Sequence, residues 1–236
     1  MDNAAQEQQR WYQREIPLVQ QVIVDVGAHV GELSQFFWEA GQGQSHVVSI
    51  EPLAENVARI RERIRRSGAK DWTVQACAVS DQDGQARAQV ARLPSGGWNS
   101  VLSQRPDPGG RGVSIRSVPM ARLATLVPDA TVVKLDIEGH EYAVLEDALP
   151  TLPKVHTWAL ELHWVAGRPL EEVLALLSEH GYRLLAAGRH PDDRDGAWTS
   201  APITPDLGWE KIPVAKQHRD GRQFKMLHVI ASKQPV

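Results

Sequence analysis

VIVDVGAHVGELSQFFWEA, residues 22–40, decides the fold. Its first part is a short β-branched run ending in Asp25 and Gly27, and from Glu32 to Ala40 the residues Leu33, Phe36, Phe37 and Ala40 recur at helical spacing. That reads as a buried strand turning tightly into a helix. The pattern then repeats. HVVSI (46–50) predicts a second strand, Glu51-Pro52 stops it with a proline where a first helical turn accepts one, and Val57, Ile60 and Ile64 mark the next helix, ended by Gly68. WTVQACAV (72–79) predicts a third strand, and Asp83-Gly84 a tight turn into a hairpin. Further strands are expected at TVVKLDI (131–137), TWALEL (157–162), YRLLAA (182–187) and MLHVIA (226–231). Helices through Tyr142, Leu145 and Leu149 and from Leu170 to His180 separate them. Alternating strands and helices are the signature of an α/β fold with a mostly parallel sheet.

The composition sets bounds around that core. With 236 residues, 42% of them hydrophobic, the chain can bury a sizeable core without disulfides or a structural metal. Residues 21–236 read as a single domain, and residues 1–20 as an N-terminal extension that is helical or flexible. The lone Cys77 allows no internal disulfide and no cysteine zinc site, and a reducing compartment is the economical reading. MDNAAQEQQRW lacks the basic start and apolar stretch of a secretory signal, and no run approaches the ~20 apolar residues of a membrane helix, so a cytoplasmic location and no membrane partner are expected. A net charge of −3 argues against a nucleic-acid partner. The arginines at 59, 61, 63, 65 and 66 scatter around a helix among Glu55 and Glu62, as on a solvated face.

Two stretches break the pattern. Leu93 to Val118 turns to Gly, Pro, Ser and Arg and reads as a long surface excursion, a candidate lid closed by Trp98. Gly188 to Phe224 is the second and holds Trp198 and Trp209. Tryptophans on such loops are candidate walls for a sugar or polyketide, or else small satellite cores. Trp98 and Asn99, with Glu161, are the candidate acceptor contacts.

In an open α/β sheet, ligands sit beyond the carboxyl ends of the strands. There the chain offers Asp25, Glu51, Asp81, Asp136 with Glu138, and Glu161 with His163. So many acids at one edge would repel one another unless a cation or a hydrogen-bonding ligand sits among them. The first turn, Asp25-Val26-Gly27-Ala28-His29-Val30-Gly31, places glycines where the backbone must bend and approach a ligand, and Glu51 follows at the distance of a ribose-binding carboxylate. A dinucleotide site wants a third glycine, and a pyrophosphate would meet Asp25 as a like charge. A sulfonium ligand with an ammonium group suits the turn better, which favours S-adenosylmethionine over NAD.

Six strings, DVGAHVG (25–31), SIEPLAEN (49–56), ACAVSDQDG (76–84), GGWNSVL (96–102), VVKLDIEGHE (132–141) and ALELH (159–163), resemble in order and spacing the FkbM family of S-adenosylmethionine-dependent methyltransferases. The resemblance covers about residues 20–190. It implies a class I methyltransferase, with a Rossmann-like, seven-stranded, mostly parallel sheet, its last strand antiparallel and helices on both faces. The implied activity is mostly O-methylation of sugars and other hydroxylated natural products. By motif position Asp25, Gly27 and Gly31 would line the methionine moiety, Glu51 would take the ribose, Ala78 would lie near the adenine and Asp136 near the transferable methyl. His29 stands where the family commonly has Asn and is the remaining cofactor contact.

An alcohol is a poor nucleophile at neutral pH, so a base or a divalent metal must deal with its proton. Asp136, Glu138, His140, Glu141 and His163 lie at or just past strand ends, and the sequence does not rank them. His140 opens a helix, whose amino terminus would lower its proton affinity. Glu138 has a structural alternative, accepting hydrogen bonds from backbone near Gly139. Glu161 and His163 project to one face of a strand and could share Mg or Mn with Asp136, but no contiguous motif declares a metal, and the metal-free base is favoured. Competing readings are an S-adenosylmethionine-binding protein without transfer and an NAD-dependent dehydrogenase. Nucleic-acid methylation is disfavoured because LDIEGHE replaces the N-P-P-Y type of turn that presents a flipped base.

Overall fold

A computed structural model describes residues 3–91, 99–101, 113–165, 167–189, 198–213, 216–217 and 223–233. In chain order these form helix α1 (Asn3–Glu15), strand β1 (Val22–Val26), α2 (Glu32–Ala40), β2 (His46–Ile50), α3 (Ala54–Ser67), β3 (Trp72–Gln75), β4 (Ala78–Ser80), β5 (Gly84–Ala91), β6 (Asn99–Val101) and β7 (Val113–Arg122). There follow a single helical turn α4 (Leu123–Leu126), β8 (Val132–Leu135), α5 (Glu141–Thr151), β9 (Thr157–His163), α6 (Leu170–Glu179), β10 (Arg183–Arg189) and β11 (Trp198–Pro202). A 3-10 turn (Trp209–Lys211), the short pair β12 (Lys216–Gln217) and β13 (Gln223–Phe224), and β14 (Met226–Ser232) complete the order.

The main sheet runs β11-β10-β14-β9-β8-β1-β2-β3. Strands β3, β2, β1, β8 and β9 are parallel neighbours, while β14 enters antiparallel between β9 and β10, and β11 pairs antiparallel with β10. The sheet therefore has eight strands where seven were expected, the extra one being β11 at the edge. Central strands are buried on both faces, which is why β1, β2 and β8 read as nearly continuous apolar runs. On one face α1, α2 and α3 lay down Trp11, Tyr12, Phe37 and Ile60 against Ile23, Val47 and Ile230. On the other, α5 and α6 pack Leu145, Leu149, Val173 and Leu177 against Val24, Val133 and Leu160. Each such large apolar side chain contributes roughly 1.5–3 kcal/mol by leaving water.

A second sheet, β4-β7-β5-β6, stands beside the end of β2 and covers its own small core of Leu53, Ala78, Ala86, Ala88, Val118 and Met120. It corrects two expectations. Residues 113–118 are the start of a ten-residue strand, not loop. And the segment 72–79 is two strands in two sheets: β4 pairs in parallel with β7, which separates it from β5, so Asp83-Gly84 does not close a β4–β5 hairpin. Helix α3 starts at Ala54, after Leu53, so Pro52 lies ahead of its first turn.

Chain order reverses at β1, whose neighbours β2 and β8 are reached by connections in opposite directions. At such a switch point the loops beyond the strand ends diverge and leave a crevice. The lining of the main cavity comes from those ends.

Candidate functional site

The cavity, about 250 Å3, is lined by Val26, Gly27 and His29 after β1, Ile50 and Glu51 after β2, Cys77 to Val79, and Asp136 to His140 after β8. Gly27 is required at its place. It has φ +78°, and a Cβ there would lie 1.9 Å from the Asp136 carbonyl oxygen. His29 is also left-handed, with φ 51°, a conformation Asn adopts more readily than a bulkier residue. That gives a backbone reason for Asn being usual at this position in the family it resembles. The His29 N–H donates to Glu51 Oε2 at 3.0 Å, while Leu53 N–H and the Asn56 amide donate to Oε1 at 3.0 and 3.2 Å. A carboxylate offers about four lone-pair sites, so one on Oε2 remains for a ligand hydroxyl. Burial pushes Glu51 up to about 7, against the pull of those hydrogen bonds.

Beneath the other wall lies a buried charge cluster. Lys134, in the middle of β8, places its ammonium 3.3 Å from Asp25 Oδ1 and 3.3 Å from Asp136 Oδ2. Asp25 is fully buried. Its second oxygen accepts from Ser34 Oγ at 2.5 Å, Ser34 accepts from Ser49 at 2.8 Å, and Ser49 accepts from the Trp72 indole at 2.8 Å. Burial, reinforced by Glu161 and Glu138, raises Asp136 to about 7, although Lys134 and His163 pull it down. Next to it, His163 Nδ1 meets Glu141 Oε1 at 2.9 Å, and its Nε2 is 3.5 Å from Glu161 and 3.7 Å from Glu138. Burial works against an imidazolium there, yet Glu141, Glu161 and Asp136 hold His163 well above the usual histidine value. Burial likewise opposes the Glu161 carboxylate, but the His163 hydrogen bond and the charges of His228 and His163 hold it at about 2.

Several expected roles are redistributed by this geometry. Asp25 and Gly31 stand outside the cavity lining, and the Asp25 carboxylate is occupied by Lys134 and Ser34, so it backs the wall and cannot meet an ammonium group directly. Gly27, His29, Glu51, Ala78 and Asp136 do line the cavity, as do Glu138 and His140. His163 and Glu161 lie behind them, and an imidazolium held by carboxylates cannot act as a base. Burial lowers His140, which leaves its imidazole neutral near pH 7 with Nε2 3.2 Å from Ser80 Oγ. The backbone hydrogen bonds considered for Glu138 are made by Glu141, which accepts from Ile137 and Gly139 N–H, each at 3.0 Å. Trp209 is buried in the core, and Trp198 packs on Trp11 and on His228, at 5.5 and 4.5 Å between ring centres, so neither is a cavity wall. Trp98 and most of the stretch expected to form a lid lie outside the described residues, and Asn99 is described only as part of β6.

Lys134 and His228 were not anticipated. A lysine inside the apolar run VVKLDI needs buried carboxylates around it, and that was the available signal. His228 Nδ1 is 3.6 Å from Glu161 Oε2, reached from β14, a strand distant in sequence. Asp136, Glu141 and His163 also present ligand-type atoms within 4.8 Å of one another. The charge beside Asp136, however, is already supplied by the Lys134 ammonium. Among the described residues no helix is long and apolar enough to cross a membrane.

The family model described as the methyltransferase FkbM domain matches residues 25–184, well over half of the chain. None of the curated proteins compared matches the sequence. Among solved structures, the methyltransferase FkbM from Methylobacillus flagellatus is 16% identical with a TM-score of 0.50, covering 78% of this chain and 44% of that one. This chain thus spans less than half the length of that protein. A precorrin-6y C5,15-methyltransferase from Geobacter metallireducens is 12% identical with a TM-score of 0.48, covering 98% of this chain and 87% of that one. An S-adenosylmethionine-dependent O-methyltransferase from Thermotoga maritima is 12% identical, TM-score 0.48, covering 98% and 66%.

Proposed function

The chain belongs to the FkbM methyltransferase family, and from that premise we propose that it methylates a hydroxyl group of a small natural product or sugar with S-adenosylmethionine as donor. The observation that supports this most is the pairing in one cavity of a ribose-type acceptor, Glu51, with a carboxylate near neutrality, Asp136.

The residues fit the cofactor. Gly27 leaves room for close backbone approach, Glu51 has an acceptor site to spare, Ala78 is a small apolar contact for a base, and Asp136 and Glu138 supply negative charge for a sulfonium and an ammonium. When bound, S-adenosylmethionine supplies an electrophilic methyl group on a good leaving group. The protein's part is to align the acceptor oxygen and receive its proton. Asp136 is our choice for that proton, because it lines the cavity and a group near the working pH is the most effective base. Glu138, left-handed at φ 59° and also lining the cavity, would orient the acceptor, and the neutral His140 would hydrogen-bond it. A lining of carboxylates favours neutral or cationic acceptors over phosphorylated ones and over nucleic acid. A cytoplasmic setting is part of the same reading.

Calorimetry with S-adenosylhomocysteine and with NAD, followed by a methyl-transfer screen over hydroxylated sugars and natural products read by mass spectrometry, tests the proposal. Binding of S-adenosylhomocysteine alone and a mass gain of one methyl on an oxygen are expected, with turnover unchanged by EDTA. NAD binding without S-adenosylhomocysteine binding would overturn it, and methylation confined to nitrogen or carbon would correct the acceptor.

A further inference from the structure

We propose that Lys134 is the positioning cation of this site: its ammonium, fixed between Asp25 and Asp136, anchors the Asp136 carboxyl by one oxygen at the cavity wall and favours its anionic form. The inference rests on the methyl-transfer reading above for its functional meaning, though not for its test.

Lys134 sits in register between Asp25 on β1 and Ala159 on β9, in the interior of the sheet, and is only 5% exposed. An ammonium taken out of water at this depth persists only if its protons find acceptors. It has four within reach: Asp25 Oδ1 and Asp136 Oδ2 at 3.3 Å, and the carbonyl oxygens of Gly27 and Val26 at 3.4 and 3.5 Å. The small Ala159 leaves room beside it. Asp25 is itself held through Oδ2 by the Ser34, Ser49 and Trp72 chain, so its Oδ1 faces the lysine from a fixed position. What remains of its charge is directed forward, to Asp136 and to the carbonyl of the turn glycine.

The magnitudes decide why this matters. Among the described residues the titratable groups around Asp136 are Glu138 from the following loop, Glu141 from α5, Glu161 and His163 from β9, and Lys134 from its own strand, with the neutral Tyr12 hydroxyl of α1 beside them. Burial, Glu161 and Glu138 push the carboxyl up, and Lys134 is the strongest influence in the other direction. Without it Asp136 would hold its proton to higher pH and be a weaker base toward an acceptor hydroxyl. With it, the residue rests at about 7. A fixed ammonium thus does here what a divalent ion does at metal-dependent centres, holding a carboxylate in place and charged. The Oδ2 atom faces the lysine, which leaves Oδ1 for the acceptor hydroxyl.

Two variants with opposite expected signs test this. Asp25→Asn leaves the whole lysine charge to Asp136, so the Asp136 titration, followed by carboxyl-carbon NMR, should move below the parent value. Asp25→Asn/Lys134→Met removes the buried pair without leaving a lone charge, and the midpoint should rise by about one unit or more. On an identified acceptor, the double variant should lose about tenfold of the parent rate at pH 7 and recover it near pH 9. A merely structural role predicts no such recovery. If the Asp136 midpoint stays at the parent value in both variants, the proposal is wrong; if the double variant does not fold, the single variant alone decides by the same criterion. Turnover abolished by EDTA and restored by Mg would also overturn it, since a metal would then supply the charge. Failure of the parent protein to bind S-adenosylhomocysteine counts against the methyl-transfer reading instead, and leaves the titration result standing.

Discussion

Glu51 joins two demands that conflict. It must be buried to grip a ribose in a dry cavity, and it accepts hydrogen bonds most strongly, and through both oxygens, when ionised. Its value of about 7 in the free protein makes the conflict measurable. If the ligand hydroxyls require the carboxylate, S-adenosylhomocysteine affinity should fall about tenfold per unit as pH drops below 7, and Glu51→Gln should flatten the profile at the weak level. A flat profile in the parent would place the ribose elsewhere. His163 carries a second prediction. Removing its imidazolium by His163→Gln leaves Glu138, Glu141 and Glu161 facing one another in the interior, and the cost should be about 3–5 kcal/mol in urea unfolding. The pH dependence has a definite sign. His163 is raised above its ordinary 6.5, so its contribution is complete below 6.5 and is lost as pH rises through the folded value. Glu161, at about 2 against an ordinary 4.5, contributes fully above 4.5 and loses that as pH falls toward 2. Stability from this cluster is therefore greatest between those limits, and in His163→Gln the dependence should flatten on the alkaline side. Residue types at strand ends were legible in advance because they depend on position in the sheet. Which of them reach the cavity was not, since that depends on partners such as Lys134 and Glu141 that occupy some carboxylates and leave others available.

Helix α1 illustrates a different limit at the level of elements. Its first residues give no strong apolar repeat, yet Trp11 and Tyr12 are almost completely buried against the sheet. The helix is latched to the edge strand β11: the Trp11 indole donates to Ser200 Oγ at 2.9 Å, Ser200 donates to Glu15 at 2.6 Å, and Arg14 donates to the Trp198 carbonyl at 2.5 Å. Trp11→Ala should cost about 3–5 kcal/mol and lower the thermal midpoint, as for a fully buried tryptophan. A loss under about 1 kcal/mol would mean that the helix end frays without consequence. Neither partner was readable alone. Strand β11 is WTSAP, half-exposed and closed by a proline, and only its pairing with β10 makes it a strand. The same holds for β7, whose exposed Ile115 does not share a face with the buried Val118 and Met120, so the expected alternation is broken midway. Elements buried on both faces announced themselves, whereas those stabilised from one side by distant partners did not.

At the scale of the molecule, the switch point at β1 explains why one motif, DVGAHVG, located both fold and cavity: the same turn that starts α2 opens the crevice between β2 and β8. The order of the remaining strands depends on contacts across long stretches of chain, and there the sequence pattern was silent. One such contact bears on how the protein is made. Strand β14 follows every other described strand, yet it lies between β9 and β10 and pairs with both. While the chain is emerging from the ribosome, those two strands are already outside with facing edges that have no backbone partners. They must wait for residues 226–232, and exposed edges in that interval are templates for pairing with other chains. The nascent protein is most vulnerable to aggregation in the moments before residues 226–232 arrive, and any premature stop ahead of them would leave the gap permanently open.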